Sequence, residues 1–265
     1  MQNESVSLLV STSRRRRAKA WSRARQVAQQ CNGTLVSPNG SVKERIEKYG
    51  ASALYVVTDK REELRDSQGQ SIFVHPGLFG ARTKEGRRHP MIRALRGDAD
   101  VTTDSLHVTD CTLGFAVDAL VAAEVLHATV IGYEKSPVMQ CLLESGLQRM
   151  ANEGKIWSNA ATRVQLRKSC AFELLENAAP KITDVVYLDP MMRHRRPSSP
   201  GYALFRQFSS HQKFTKDHLR AAAQVARQRV VMKIAARRQI LPDGLTWHQR
   251  ISGAAVDYLV HECGE

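Results

Sequence analysis

Residues 184–192 read Asp-Val-Val-Tyr-Leu-Asp-Pro-Met-Met. Four apolar side chains in a row cannot alternate between a core and water. Val185 to Leu188 therefore describes a strand buried on both faces, the condition of an inner strand in a parallel sheet covered by helices. Such a strand delivers Asp189 and Pro190 to its carboxyl edge, where open α/β sheets bind ligands. Proline carries no backbone N–H and ends the ladder there.

From about Asp104 onward the chain alternates strands with helices of ten or more residues, the rhythm of a doubly wound parallel sheet. His107–Thr112 reads as a strand and turn, and an apolar helix runs from Phe115 to about His127. Thr129–Glu134 is the next strand. Ser136-Pro137 then supplies an N-cap and first-turn proline for a helix bearing Val138, Leu142, Leu143, Leu147 and Met150. Arg163–Arg167, the Asp189 strand and Arg229–Ile234 continue the series, with a helix over 216–227 and a terminal strand pair using Trp247 and 256–260. Residues 5–100 carry shorter elements: a strand at 6–10, an arginine-rich helix, a capping box at Ser41-Val42-Lys43-Glu44, a strand at 53–57 and a hairpin around 66–69. Residues 1–100 are thus expected to form a small α/β subdomain ending in a basic linker, and 101–265 the larger domain.

Lys and Arg number 39 against 26 Asp and Glu, a net charge of +13. The excess is uneven: residues 1–50 carry +7, whereas 101–150 carry −4. A polyanionic partner suits the basic flanks, with RNA or DNA the leading choice. Arg14 to Arg17 reads either as a phosphate-binding or localisation run, or as the solvated start of a helix. The five cysteines (Cys31, Cys111, Cys141, Cys170 and Cys263) form no Cys-x-x-Cys pair, so a zinc knuckle or disulfide framework is not indicated. No apolar run approaches the roughly 20 residues that span a bilayer. A soluble protein of the reducing cytoplasm is the expectation.

Asp110-x-Thr112-x-Gly114 stands where a strand turns into a helix, and Glu134 ends the next strand 24 residues after Asp110. Glycine lets backbone approach a ligand, and an acid after the second strand can bond both hydroxyls of a ribose. The full Gly-x-Gly-x-x-Gly fingerprint is absent, so a pyrophosphate cradle is poorly supported. S-adenosylmethionine has no phosphate to cradle. Its ammonium would meet Asp110 and its ribose Glu134.

Asp110-Cys111-Thr112-Leu113-Gly114 followed by Asp118, Tyr133-Glu134-Lys135-Ser136-Pro137, Val185 to Met192, and Arg229-Val230-Val231-Met232-Lys233 together resemble the small-subunit ribosomal RNA guanine-N2 methyltransferase family RsmJ, and more closely its YpiP-type relatives. His75-Pro76 and His89 to Gly97 extend the resemblance upstream. The resemblance implies a Rossmann-like class I methyltransferase fold: a mostly parallel seven-stranded sheet with a small N-terminal α/β subdomain. It implies S-adenosylmethionine as donor and ribosomal RNA, or a ribosomal subunit, as partner. On the same ground Asp110 and Gly114 line the methionine end of the cofactor and Glu134 takes the ribose; Thr112, Lys135, Ser169 and Cys170 are further expected cofactor contacts, the last two standing where the family meets the adenine. Asp189 and Pro190 face the methyl acceptor, with Met191 and Met192 beside the target base. Relatives carry an aromatic where Met192 stands and Ala-Asp where Ser169-Cys170 stands; Ser169 can still hydrogen-bond the adenine amine.

The chemistry expected of this loop is N-methylation. Asp189 and the Pro190 carbonyl would accept hydrogen bonds from an exocyclic amine, guanine N2 first among candidates, and favour its partly positive transition state. Arg193, Arg195 and Arg196 follow the loop directly, and Arg93 and Arg96 lie in the basic segment upstream; these are the expected RNA contacts. Lys233 reads as a phosphate contact, as a cap on the site, or as a structural lysine with a snorkelling stem. His75, His89 and His194 lack metal-ligand spacing, so no metal is expected. Two alternatives stand beside this reading: a methyltransferase acting on protein or a small molecule, and a non-catalytic RNA-binding protein on the same scaffold. Oligomeric state is not legible.

Overall fold

A computed structural model describes residues 7–13, 18–97, 106–190, 201–210 and 213–264. In chain order the first elements are β1 (Leu8–Thr12), α1 (Ala18–Gln30), β2 (Thr34–Leu35), α2 (Val42–Tyr49), β3 (Ala53–Val57), β4 (Glu62–Arg65) and β5 (Ser71–Ile72). Next come α3 (Phe79–Glu85), a 3-10 turn at Gly86–Arg88, α4 (Pro90–Arg96), β6 (His107–Asp110), α5 (Val117–Val125) and β7 (Thr129–Tyr133). Then follow α6 (Pro137–Ala151), α7 (Ser158–Thr162), β8 (Val164–Arg167), α8 (Ala171–Asn177) and β9 (Thr183–Leu188). The last are α9 (Tyr202–Phe208), α10 (Lys216–Val225), β10 (Ala226–Ala235), β11 (Gln249–Ser252) and β12 (Val256–Glu262).

Two compact units result, and they do not follow a single cut near residue 100. Of the described residues, one unit gathers those within 1–75, 136–149 and 195–210, and the other those within 76–135, 150–194 and 211–265. In the first unit a five-stranded sheet runs β2-β1-β3-β4-β5. β1 pairs parallel with β2 and β3, and the hairpin strands β4 and β5 add antiparallel. β1 and β3 are buried along their whole length, as inner strands must be. Ser41 and Glu44 close the expected capping box on α2, and Gly50 ends that helix in the left-handed region at φ 58°.

The second unit is built on a seven-stranded sheet, β11-β12-β10-β9-β6-β7-β8. Neighbours from β10 through β9, β6 and β7 to β8 are parallel, and β12 alone is reversed, pairing antiparallel with both β10 and β11. Strand order reverses between β6 and β9, so the carboxyl ends of these two strands flank the switch point where ligands bind in such sheets. Successive side chains point to opposite faces. Val186 and Leu188 of β9 join Val230, Met232 and Ile234 of β10 against α8 and α10. Tyr187 and Lys233 take the opposite face.

One expectation changes here. Residues 80–97, read from sequence as a linker, are largely helical, and α4 packs on β10, β11 and β12. His89 caps α4 through its ring, Nδ1 accepting from the Met91 N–H at 3.2 Å, and Pro90 occupies the first turn. Met91, Ile92, Ala94 and Leu95 are buried. Among the described residues no helix is long and apolar enough to cross a membrane.

Candidate active site

The loop after β6 is built around Asp110. This carboxyl is buried and accepts from the Thr112 backbone N–H at 2.8 Å and the Thr112 hydroxyl at 3.2 Å. The same hydroxyl accepts from the Asp189 backbone N–H at 2.7 Å. Thr112 thereby ties the ends of β6 and β9 together across the switch point. Gly114 adopts φ 54°, a conformation that disfavours any side chain. A Cβ on Gly132 of β7 would stand 2.4 Å from Leu113 Cδ1, so the missing side chain makes room for this loop.

Burial raises the Asp110 pKa to about 7; the Thr112 bonds oppose this, while nearby Asp118 and Asp189 add to it. Glu134, buried, follows β7, its N–H donating to the Arg167 carbonyl at 3.1 Å and joining the ends of β7 and β8. Lys135 is exposed. Ser169 and Cys170 are half-buried in the turn between β8 and α8. Cys111, next to Asp110, packs in the same apolar cluster as Ala171. The expected cofactor residues of the first three parallel strands therefore lie at the carboxyl ends of those strands, on one edge of one sheet.

The Asp189 end of the site holds a feature that sequence reasoning missed. Lys233 Nζ donates to Asp118 Oδ2 at 2.8 Å and to Asp189 Oδ2 at 2.7 Å. The Tyr187 hydroxyl donates to Asp118 Oδ2 at 2.7 Å, and Arg82 of α3 pairs with Asp118 Oδ1. Although burial opposes its charge, Lys233 and Arg82 hold the Asp118 carboxyl well below the usual carboxylate range. Asp118 and Asp189 hold the Lys233 ammonium above the ordinary lysine range against its burial. Lys233 is thus engaged by two carboxylates in a buried position, and the reading of it as a phosphate contact gives way. The missed signal was Asp118 at the start of a largely apolar helix and Lys233 inside the apolar run Val230–Ile234: a buried charge needs a partner.

Arg93 is exposed and Arg96 half-buried on α4. Pro190 is half-buried beside Asp189. Met191, Met192, Arg193, Arg195 and Arg196 lie outside the described residues, as does His194. Among the described residues no three His, Cys, Asp or Glu side chains gather as a metal site.

A methyltransferase family described as "Putative SAM-dependent methyltransferase" matches residues 54–253. The chain belongs to this family. It is an S-adenosylmethionine-dependent methyltransferase with a Rossmann-like fold. Bacillus subtilis YpiP, an uncharacterised relative, is 29% identical over 233 residues, covering 85% of this chain and 88% of that protein. Ribosomal RNA small subunit methyltransferase J of Marinobacter nauticus is 32% identical over 160 residues, covering 59% of this chain and 57% of that protein. The chain thus spans less than two thirds of that enzyme's length. A crystal structure of a SAM-dependent methyltransferase from Neisseria gonorrhoeae aligns with TM-score 0.67 and 20% identity, covering 96% of this chain and 95% of that one; that likeness concerns the fold.

The site suits the family's cofactor on its own chemistry. Among the described residues the donors to the buried Asp110 carboxyl are the neutral Thr112 groups, a setting whose chemistry fits an ammonium. A second buried acid, Glu134, ends the neighbouring strand, where a ribose is held in folds of this kind.

Proposed function

We propose that this methyltransferase N-methylates an exocyclic amine of a base, guanine N2, in ribosomal RNA. The observation that carries the reading is Asp189: its backbone is tied to the cofactor loop through Thr112, and its carboxylate is held at the switch point by Lys233. Asp110, Thr112 and Gly114 would hold the methionine end of the cofactor, Glu134 and Lys135 the ribose, and Ser169 and Cys170 the adenine. The cofactor, when bound by these residues, would supply an electrophilic methyl group for the acceptor nitrogen.

Asp189 and the Pro190 carbonyl would accept hydrogen bonds from the amine and draw its lone pair out of conjugation with the ring. A carboxylate there favours the partly positive nitrogen of the transition state. Asp189 would then take the proton and release it to water. Most of the rate would come from holding two partners in line. Met191 and Met192 would offer apolar contact to the base. Arg193, Arg195 and Arg196, with Arg93 and Arg96, would contact phosphates, in keeping with the net charge of +13. The residues before about 100 are assigned a substrate-side role, and ribosomal RNA places the activity in the cytoplasm. The names of the curated relatives support the RNA and the subunit.

The test is nucleoside mass spectrometry of small-subunit ribosomal RNA from cells lacking the gene. Loss of N2-methylguanosine, restored by wild type and not by Asp189→Ala, is expected. An unchanged methylation profile in the deletion strain would refute the acceptor assignment.

A further inference from the structure

Lys233 and Asp118 form a buried ion pair at the edge of the site. Side-chain exposures of 10% and 13% leave little of either for direct contact with a large substrate. As a device for stability alone such a pair is poorly chosen, since well-packed apolar residues in its place are often neutral or stabilising. Its geometry is directed instead at Asp189. One ammonium bridges Oδ2 of Asp118 and Oδ2 of Asp189, at 2.8 and 2.7 Å. Asp118 is fixed in turn from two further elements, by Tyr187 on β9 and Arg82 on α3.

We propose that Lys233, anchored by Asp118, is a positioning residue for methyl transfer: it holds the Asp189 carboxylate ionised and in one orientation for the acceptor amine. The inference rests on the reading of Asp189 as the acid that faces the acceptor. Without a cation, Asp189 would share its edge with Asp110 and Asp118, and two like charges favour its protonated form. A protonated Asp189 could neither stabilise a positive nitrogen nor take its proton. Among the described residues Lys233 is a cation in direct contact with it; Arg82 acts at one remove through Asp118, and His89, whose pKa burial lowers, adds little charge at neutral pH. Tyr187 and Tyr258, both raised chiefly by burial, stay neutral. Lys233 is not the base: its ammonium is held protonated. When the N–C bond forms and the C–S electrons leave with sulfur, the amine proton passes to Asp189 and then to water, and Lys233 keeps all of its protons.

The experiment compares wild type, Lys233→Met and Asp118→Asn by two readouts. One is the titration midpoint of Asp189, followed by carbon-13 carboxyl NMR on the full chain. The other is the pH profile of kcat with total RNA from cells lacking the gene. Removing an opposite charge in contact raises a carboxyl pKa by about 1 unit or more. In Lys233→Met the Asp189 midpoint and the acid limb of kcat should both move up by that amount. Its kcat should fall most on the acid side, below about pH 6, with a smaller pH-independent loss above it from the lost orientation, while cofactor Kd changes less than about threefold. Asp118→Asn, which removes the competing carboxylate, should move the midpoint down. Opposite displacements would not follow from a loss of packing. A Lys233→Met midpoint and acid limb unmoved from wild type overturn the proposal; if that variant does not fold, an Asp118→Asn midpoint that stays or rises does the same. Full activity in Asp189→Asn overturns the acceptor reading, and this proposal with it. An inactive Asp189→Asn beside a wild-type-like Lys233→Met overturns the positioning role alone.

Discussion

With Asp110 as the proposed partner of the cofactor's ammonium, its titration sets the expected pH dependence of cofactor binding. Its pKa of about 7 arises from burial, reinforced by Asp118 and Asp189. An ammonium ligand binds the carboxylate form and stays protonated itself below its own pKa near 8. At pH 7 about half the unliganded protein is ionised at this residue, at pH 6 about a tenth and at pH 5 about a hundredth. The association constant for S-adenosylmethionine should therefore fall roughly fivefold from pH 7 to 6 and roughly 50-fold from pH 7 to 5, with proton release on binding throughout. Stability carries the opposite sign. The folded pKa lies above the ordinary 3.8, so the ionised form costs stability above pH 7 and the cost fades as pH falls toward 3.8. The full difference is on the order of 4 kcal/mol. Asp110→Asn keeps an oxygen for the two Thr112 donors and removes the charge. The unliganded variant should melt higher than wild type at pH 8, by a margin that shrinks toward pH 4, and should bind the cofactor weakly with no pH dependence between 5 and 7. Calorimetric titration and thermal unfolding across this range read both effects. A cofactor affinity flat from pH 5 to 7 in wild type, or an Asp110→Asn protein no more stable at pH 8, would refute the reasoning.

Gly132→Ala brings a methyl within 2.8 Å of Leu113 Cγ and closer still to its methyls, so the whole side chain must move; a loss of about 1–3 kcal/mol in unfolding and roughly tenfold in cofactor affinity is expected, and unchanged affinity would contradict it. Thr112→Val leaves the Asp189 N–H without its acceptor and Asp110 without a hydroxyl donor. It should cost about 1–2 kcal/mol of stability and lower kcat roughly tenfold, measured by denaturant unfolding and single-turnover methylation; wild-type kcat would count against the coupling. Ser41→Ala removes the α2 capping box in the first unit. About 1 kcal/mol of stability should be lost, with cofactor Kd unchanged; a shifted Kd would show that this cap matters to the site.

Much of the second sheet was legible because inner parallel strands carry continuous apolar runs, and Val185–Leu188 and Val230–Met232 announce themselves that way. The helix caps at Ser41 and Ser136 were legible because capping chemistry is local. α4 was hidden by its setting: arginine, glycine and His89-Pro90 read as loop punctuation, and a seven-residue helix gives periodicity little room. Its signal was the pair of apolar doublets Met91-Ile92 and Ala94-Leu95. The placement of Asp110, Glu134 and Asp189 follows from strand ends, which the sequence marks. The Lys233 bridge does not, because its two carboxylates stand 115 and 44 positions away. Alternation along β10 tells which face Lys233 takes, whereas its partner depends on which strand and helix the topology lays beside it. For the same reason nothing local reveals that 136–149, directly after Glu134, cluster with the first unit.

The central claim, methyl transfer to RNA through Asp189, is tested most directly with methyl-tritiated S-adenosylmethionine in an extract from cells lacking the protein. Wild type should transfer label that nuclease releases and protease does not, and Asp189→Ala, with cofactor binding intact, should transfer none. Label released only by protease, or equal labelling by both proteins, would contradict the account.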